Sequence, residues 1–297
     1  MRFSLGLPTH RVAAAEEFLA PGAVGEVAAA AEAAGFDAVF VTDHPAPPQE
    51  WIEAGGHHTL DPLVTLAFAA AATTTLRVQT NLYVPAYRSP LVSAKAVASL
   101  DVLSGGRVIL GVGAGYLEDE FAAVGAEFAR RNDVLDEAIR IMRSAWNGEP
   151  VDGTVSLPRP AQRPGPPVWI GGNSGRAMRR AVELGDGWVP MPSPRAAASL
   201  LRTPGLESLD ALAERLARLR ELTAAAGRTQ PLDVAFMPAG LDMFNRASPD
   251  PSRVLAELRA LADLGVTWAT LTLPARSRSE LLGEIDRFGT GVISRLG

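Results

Sequence analysis

The fold is decided by residues 167–188, which read PVWIGGNSGRAMRRAVELGDGW. The short apolar run Val168–Ile170 predicts a buried strand that stops at Gly171–Ser174. A helical segment, Gly175–Leu184, follows and ends at Gly185. A helix that begins directly after a strand and a glycine turn presents backbone N–H groups to an anion. Taken alone, this stretch fits a phosphate-binding turn and a plain tight turn equally well.

The order of strand, turn and helix repeats on both sides of this stretch. Strands are predicted at Arg2–Pro8, Ala38–Thr42, Leu76–Val84, Val108–Gly113, Val168–Ile170, Gly187–Met191, Leu232–Met237 and Ala269–Leu273. Eight strands that each precede a helix indicate an α/β fold, a single (β/α)8 TIM barrel with short insertions over residues 1–297. A doubly wound open sheet is the alternative. It would place G-x-G-x-x-G in the first βα turn, whereas the nearest match, Gly111–Tyr116, lacks the third glycine and follows strand four.

Several loops and helix ends are also predicted. Asp61 and Asp250 each precede a proline and open helices, as capping residues do. Residues 45–59 are expected to form an irregular loop, and residues 151–157 a small extra hairpin. The closing helix is predicted over residues 281–296.

Composition excludes several classes of function. The chain has 297 residues, 47% of them hydrophobic, no cysteine and a net charge of −5. Disulfides and cysteine-ligated metals are therefore excluded, and nucleic acid is not an expected partner. No apolar run reaches the length of a membrane span, and the start lacks the apolar core of a signal peptide. A cytoplasmic protein without membrane association is expected.

Active residues of such barrels lie at the carboxyl ends of the strands. Strand two ends in Asp43–His44, which are the candidate catalytic residues. His44 can serve as a general acid–base or stack on a flat ring, or Asp43 can hold it for structural reasons. Strand four ends in Gly113, Ala114, Gly115 and Tyr116, and strand five in Gly171, Gly172, Asn173 and Ser174. These ends converge on one opening.

The loop after strand two contains further candidates. Trp51, His57 and His58 are expected to shape the substrate side of the opening. His44, His57, His58 and Asp61 are the potential ligands of a metal-dependent hydrolase, an alternative function. Their spacing fits none of the zinc patterns, so no metal site is predicted.

Together these stretches resemble the luciferase-like oxidoreductases, specifically their branch that uses the deazaflavin coenzyme F420. The matching segments are AVFVTDH (38–44), LDPLVTLAFAAAATTTLRV (60–78), YVPAYRSPLVSAKAVASLDVLSGGRVILGVGAGYLEDEF (83–121) and residues 167–188. The likeness extends from Arg2 to about Pro190, and the last third agrees in layout only.

The resemblance implies a ring-binding site near the ends of strands two, three and four. It also implies a bulge with a non-prolyl cis peptide after strand three, here at Asn81–Leu82. The cofactor phosphate would lie between Gly113–Tyr116 and Gly171–Ser174. Relatives carry an acidic glutamate after the strand-four glycines where this sequence has Tyr116. His44 matches a histidine that relatives place against the deazaflavin.

The implied function is F420-dependent hydride transfer between C5 of the deazaflavin and a small organic substrate. An FMN-dependent monooxygenase of the same fold is the alternative, since both would share the phosphate site. A barrel that only binds a partner would have the same motifs. Relatives are commonly homodimers, so a homodimer is expected. Loops 45–59 and 192–207 are expected to select the substrate.

Overall fold

Short apolar segments form the central strands, since a strand covered on both faces needs a nearly continuous apolar run. The computed structural model describes residues 1–242 and 250–296. Its strands are β1 (Arg2–Gly6), β2 (Ala38–Val41), β3 (Arg77–Tyr83), β4 (Val108–Val112), β5 (Val168–Gly171), β6 (Gly187–Val189), β7 (Asp233–Phe236) and β8 (Trp268–Leu271). They pair in parallel and in chain order, and β1 closes the ring with β8. The predicted (β/α)8 barrel is confirmed, whereas its extension as one domain over residues 1–297 stays a prediction.

Helices surround this barrel. They are α1 (Ala15–Phe18), α2 (Ala23–Ala33), α3 (Gln49–Glu53), α4 (Pro62–Ala71), α5 (Pro90–Leu103), α6 (Glu118–Ala123), α7 (Arg131–Asn147), α8 (Gly175–Leu184), α9 (Ala198–Leu201), α10 (Leu209–Ala225), α11 (Pro251–Leu264) and α12 (Arg278–Gly291). Within the two described ranges, no helix combines the length and apolarity needed to cross a membrane.

Side-chain caps fix where several helices begin. Asp61 accepts hydrogen bonds from the amides of Leu63 and Val64, both at 3.0 Å, and so opens α4 as predicted. Asp250 caps α11 through the amide of Ser252, which is also as predicted. Replacing such a cap by alanine typically costs about 1 kcal/mol.

Three local predictions are wrong. Residues 45–59 are not wholly irregular, because α3 begins after Pro48, whose fixed φ suits a helix start. Residues 151–157 form a single bridge between Val151 and Thr154 rather than a hairpin. The last helix begins at Arg278 instead of residue 281, because Ser277 caps the amide of Glu280.

The barrel interior is filled rather than hollow. Its buried side chains are Ala38, Ile109, Trp169, Val189, Ala235 and Trp268, with Leu82 packed against them. The rings of Trp169 and Trp268 meet edge to face with centroids 5.1 Å apart. The packed interior leaves no room for a ligand below Leu82, so a ligand is expected at the opening where the strands end, which we call the mouth.

Candidate active site at the barrel mouth

The floor of the mouth is set by an irregularity in β3. The pairing of β3 with β4 shifts register between Thr80 and Tyr83. The peptide bond between Asn81 and Leu82 is cis, as the resemblance implied. This bulge directs Leu82 into the barrel, where it covers the interior side chains.

Two glycines at the ends of β4 and β5 make room for Leu82. The pairing of Val112 with Ile170 places Gly113 level with Gly171. A Cβ on Gly113 would come within 3.1 Å of the Leu82 side chain, and one on Gly171 would overlap it. Packing against Leu82 is thus sufficient to explain why both residues are glycine. A ligand can still lie above them.

The turn after β5 is built by internal hydrogen bonds. Ser174 caps α8 by accepting from the amide of Ala177 at 3.1 Å. The buried Asn173 side chain donates to the carbonyls of Met191 and Pro204, both at 2.8 Å. Its oxygen accepts from the amide of Met191. Asn173 therefore fastens residues 191–204 to this turn, and its predicted contact with a cofactor stays a prediction.

Gly172 and Gly115 adopt the left-handed backbone that favours glycine, with φ of 110° and 78°. Near Gly172 a Cβ would meet only Ala177 and Thr203, at 3.5 and 3.8 Å. Gly115 instead lies against Phe121, where a Cβ would come within 2.6 Å. The amide of Gly172 donates to the carbonyl of Val189 and its carbonyl accepts from the indole of Trp188, so this backbone is engaged within the protein, while the turn at Ala114–Gly115 is packed from below.

His44 lies at the centre of the mouth, just after β2. Its Nδ1 lies 3.0 Å from Oε2 of Glu120, a fully buried carboxyl group on α6. Its Nε2 lies 3.4 Å from the hydroxyl of Tyr116, which is a long contact. Glu120 therefore fixes one nitrogen of the ring, and the other nitrogen faces the mouth.

Glu120 was not among the predicted site residues. Its oxygens also accept from the Tyr87 hydroxyl at 2.8 Å and from the amide of Ala46 at 3.1 Å. In the sequence it follows Glu118 and Asp119, so it resembles the solvated acids that favour a helix start. The neighbouring buried Phe121 was the available signal that this turn packs inward.

Asp43 is held entirely by protein groups. Arg88 donates to both of its carboxylate oxygens, at 2.7 and 2.9 Å. The amide of Val84 donates to it at 3.0 Å. This bidentate pair joins the end of β2 to the segment after β3 and supports the backbone of His44. The structure thus gives Asp43 a positioning role, and a direct catalytic role stays a prediction.

Four rings crowd around the mouth. The centroid of His44 lies 4.9 Å from those of Trp51 and His57 and 5.9 Å from that of Tyr116. Trp51 in turn lies 5.5 Å from His57. The predicted substrate-side residues Trp51 and His57 are therefore brought together with His44. Burial raises the pKa of Tyr116 above its usual range, and Glu120 raises it further.

His57 is a partly buried imidazole that stays neutral. Burial lowers its pKa to about 3, with further lowering by charge repulsion from His44 and His10. No atom of residues 1–242 or 250–296 forms a hydrogen bond with its buried Nδ1. His10, missed in the sequence, lies with its ring 6.1 Å from that of His57. His58 follows His57 in the chain, and its charge also lowers the pKa of His57.

The predicted ligands of a metal-dependent hydrolase do not form a metal site. Asp61 caps α4 and lies 3.5 Å from Arg88, so its carboxylate is used elsewhere. Across the described part of the chain, no group of three or more histidine, aspartate or glutamate side chains is arranged to hold a metal ion. The hydrolase alternative therefore lacks its site.

The mouth combines a partly apolar floor, a ring of aromatic side chains and one histidine backed by a carboxylate. Such a site can bind a flat ring, keep water away and exchange a proton with a bound molecule. It contains no protein group that can accept or donate a hydride, so redox chemistry here requires a cofactor.

Comparison with known proteins shows what the chain is similar to. A profile of the luciferase-like monooxygenases matches residues 1–262. An F420-dependent glucose-6-phosphate dehydrogenase of Kineococcus radiotolerans is 30% identical over 289 residues, which is 92% of this chain and 76% of that protein. An F420-dependent hydroxymycolic acid dehydrogenase of Mycobacterium tuberculosis is 35% identical over 174 residues, 54% of this chain and 47% of that protein. The crystal structure of the monooxygenase RslO1 from Streptomyces bottropensis superposes with a TM-score of 0.80 at 21% identity and covers 100% of both chains.

Proposed function

Since the chain belongs to the luciferase-like monooxygenase family and is an oxidoreductase, we propose that it uses coenzyme F420. It would transfer a hydride between C5 of the deazaflavin and a small organic substrate. The observation that carries this proposal is the buried His44, whose Nδ1 is fixed by Glu120 and whose Nε2 faces the mouth. The similarity to an F420-dependent dehydrogenase over 92% of the chain supports the choice of cofactor.

The residues present fit a deazaflavin cofactor. Leu82 provides an apolar floor for a flat ring, and the unpartnered Nδ1 of His57 provides a polar contact at its side. After β5, the amides of Gly175 and Arg176 in the first turn of α8 precede the first intrahelical hydrogen bond and can face a phosphate. Ala114, Gly115 and Tyr116 would complete the phosphate site from the end of β4.

When bound, the deazaflavin supplies the group that accepts or donates the hydride. Oxidation of an alcohol also releases a proton, and the reverse reaction consumes one. His44 holds or donates that proton at Nε2, and Glu120 stabilises the protonated ring through Nδ1. Trp51 and His57 exclude water and contact the substrate together with His58.

The cofactor is tested by titrating the purified apoprotein with F420 and, separately, with FMN. We expect F420 binding in the micromolar range or tighter, and spectral reduction of F420 when a substrate alcohol is present. Tight binding of FMN without binding of F420 would overturn the proposal and favour the FMN-dependent monooxygenase. Failure to bind either cofactor would favour a barrel that only binds a partner.

The expected homodimer has a candidate surface. Val64 and Phe68 on α4 and Val92 on the adjacent α5 are 60%, 64% and 63% exposed. Exposed apolar patches of this kind often mark interfaces. Sedimentation of Phe68→Glu should show a monomer, whereas Leu200→Glu on α9 should leave the wild-type state unchanged. A cytoplasmic location and the absence of a nucleic acid partner stay predictions.

A further inference from the structure

The hydroxyl of Tyr116 and Nε2 of His44 face each other without forming a good hydrogen bond. They lie 3.4 Å apart, whereas a well-made bond between such atoms measures about 2.7–3.2 Å. Among the residues that the structure describes, no other side chain or backbone group forms a hydrogen bond with the Tyr116 hydroxyl. This hydroxyl therefore keeps hydrogen-bonding capacity for a ligand in the mouth.

Nε2 of His44 has the same spare capacity. The other ring nitrogen, Nδ1, is held by the buried carboxylate of Glu120 at 3.0 Å, which leaves Nε2 with only the long contact to Tyr116. Two polar atoms 3.4 Å apart can both contact one oxygen atom that lies about 2.8 Å from each. Two donors directed at one oxygen are the arrangement that stabilises negative charge as it develops on a carbonyl oxygen.

The Tyr116 phenol is suited to be a permanent donor in this pair. Burial raises the pKa of its hydroxyl above the usual range, and the charge of Glu120 raises it further. The hydroxyl therefore stays protonated at every pH at which the protein is folded. An ionised carboxylate at this place could only accept a hydrogen bond, whereas the phenol donates one.

The space beside these two atoms is bordered by uncharged rings. The ring centroid of Trp51 lies 4.9 Å from that of His44 and 6.4 Å from that of Tyr116. The Trp51 ring packs on Gly56, where a Cβ would come within 2.3 Å of it, so the loop itself holds the indole in place. The neutral His57 lies on the same side. These rings suit an apolar substituent next to the bound oxygen.

We propose that the Tyr116 hydroxyl and Nε2 of His44 together bind the reacting oxygen of the substrate, which is an aldehyde or ketone with apolar substituents, or the corresponding alcohol. This inference rests on the proposed function and names the substrate class of that site. It concerns the side chain of Tyr116, whose backbone still borders the proposed phosphate site. Tyr116 is thereby a catalytic residue that holds the oxygen.

The step balances with a reduced deazaflavin as the reductant. The hydride forms the new C–H bond at the carbonyl carbon, and the electron pair of the C=O π bond moves to the oxygen. That oxygen takes the proton from Nε2 of His44, and the proton that the reductant releases on oxidation replaces it through solvent. Tyr116 keeps its own proton throughout, and the reverse sequence oxidises the alcohol.

A binding test needs no turnover. The complex with oxidised F420 is titrated with butanone and, separately, with the alkene in which a CH2 group replaces its oxygen, and the Nε2 nitrogen resonance of His44 reports binding. Tyr116→Phe should bind butanone about three- to tenfold more weakly than the wild type, because one hydrogen bond is lost. Its affinity for the alkene should stay within about twofold of the wild-type value.

The kinetic effect should exceed the effect on binding. With reduced F420 and butanone, Tyr116→Phe should lower kcat by about 10²–10³-fold, because the lost donor acts most strongly on the charged oxygen of the transition state. KM should rise by no more than the loss of ketone affinity. A residue that only supports the shape of the mouth would weaken both probes alike.

Tyr83→Phe is the matched control, since the Tyr83 hydroxyl is bonded to Ser93 at 2.8 Å and does not contact His44. The two variants should show opposite patterns. Tyr83→Phe should melt at a lower temperature and keep the wild-type kcat and ketone affinity. Tyr116→Phe should melt at the wild-type temperature, because its hydroxyl makes only a long contact.

Each outcome decides the proposal. A loss confined to butanone, with the expected fall in kcat in Tyr116→Phe and not in Tyr83→Phe, supports it. Equal losses for both probes, no loss for either, or a wild type that binds F420 but neither binds nor reduces butanone overturns it while F420 use stands. If the wild type does not bind F420, the proposed function fails and this inference fails with it.

Discussion

Oε2 of Glu120 lies 3.0 Å from Nδ1 of His44, although 76 residues separate the two in the chain. The pair joins the end of β2 to α6, beyond the end of β4, and it is buried beneath the mouth. A carboxylate at Nδ1 orients the imidazole and stabilises its protonated form, while Nε2 faces a ligand.

Replacing Glu120 by glutamine should lower kcat by about tenfold or more, since positioned acid–base groups contribute about 10²–10⁴-fold. The amide keeps the size of the side chain, but its NH2 group cannot accept from His44, Tyr87 or Ala46. KM should change little, because Glu120 is buried and does not reach a ligand. Steady-state kinetics measure both constants. An unchanged kcat in a folded variant would contradict the proposed role of the pair.

Tyr87→Phe should have a smaller effect of the same kind. It removes the hydroxyl that donates to Glu120 at 2.8 Å, so we expect a loss of about 1 kcal/mol in the free energy of unfolding and a lower kcat. Tyr83→Phe is the matched control, because its buried hydroxyl is bonded to Ser93 at 2.8 Å. The control should be destabilised similarly and keep its kcat. Equal kcat losses in both variants would indicate a general packing effect.

The neutral His57 makes stability depend on pH in a defined direction. Its folded-state pKa is about 3, below the usual 6.5, so only the unfolded chain takes up a proton between these values. Stability should therefore fall as the pH falls below 6.5, by up to about 2 kcal/mol at pH 5. Urea unfolding at pH 7 and pH 5 should show this loss in the wild type and a smaller loss in His57→Gln. His58→Gln should retain it, since His57 remains; equal losses in all three proteins would contradict the assignment.

The packing of Leu82 against Gly171 can be tested by a double-mutant cycle. Gly171→Ala should cost about 1–3 kcal/mol, because the new methyl group overlaps Leu82. In a Leu82→Ala background the same change should cost less by about 0.5–3 kcal/mol. Gly175→Ala, where only the end of the Arg179 side chain lies near, should be tolerated. Strictly additive costs would show that Leu82 is not the reason for glycine here.

The barrel was predictable because its signals are local. Runs such as Val108–Val112 are apolar at every position, and the residues that end them or cap the next helix lie within a few positions, as at Asp61 and Ser174. The start of the last helix was missed because Ser277 caps it four residues before the first large apolar residue, Leu281. The start of this helix is therefore set by the capping residue and not by the first apolar residue of the helical pattern.

The candidate site was predictable only in part, because its decisive contacts are distant in sequence. Asp43, His44 and the glycines are found from their places at strand ends. Glu120 cannot be found in this way, because its partners His44 and Ala46 lie in the loop after β2, far away in the chain. The Asn173 side chain is committed to residues 191–204, which no local pattern reveals. A single sequence shows where such side chains lie along the chain, but it does not show which distant residues they contact.

All four histidines of the chain lie in one neighbourhood: His10, His44 and His57 in ring contact, and His58 beside them. A proton–nitrogen NMR spectrum of the imidazole groups thus reports on the mouth alone, without background from the rest of the barrel. Four sets of resonances can be assigned by four single substitutions. Ligand entry, tautomer and protonation are then observable together, in a protein otherwise too large for simple one-dimensional analysis.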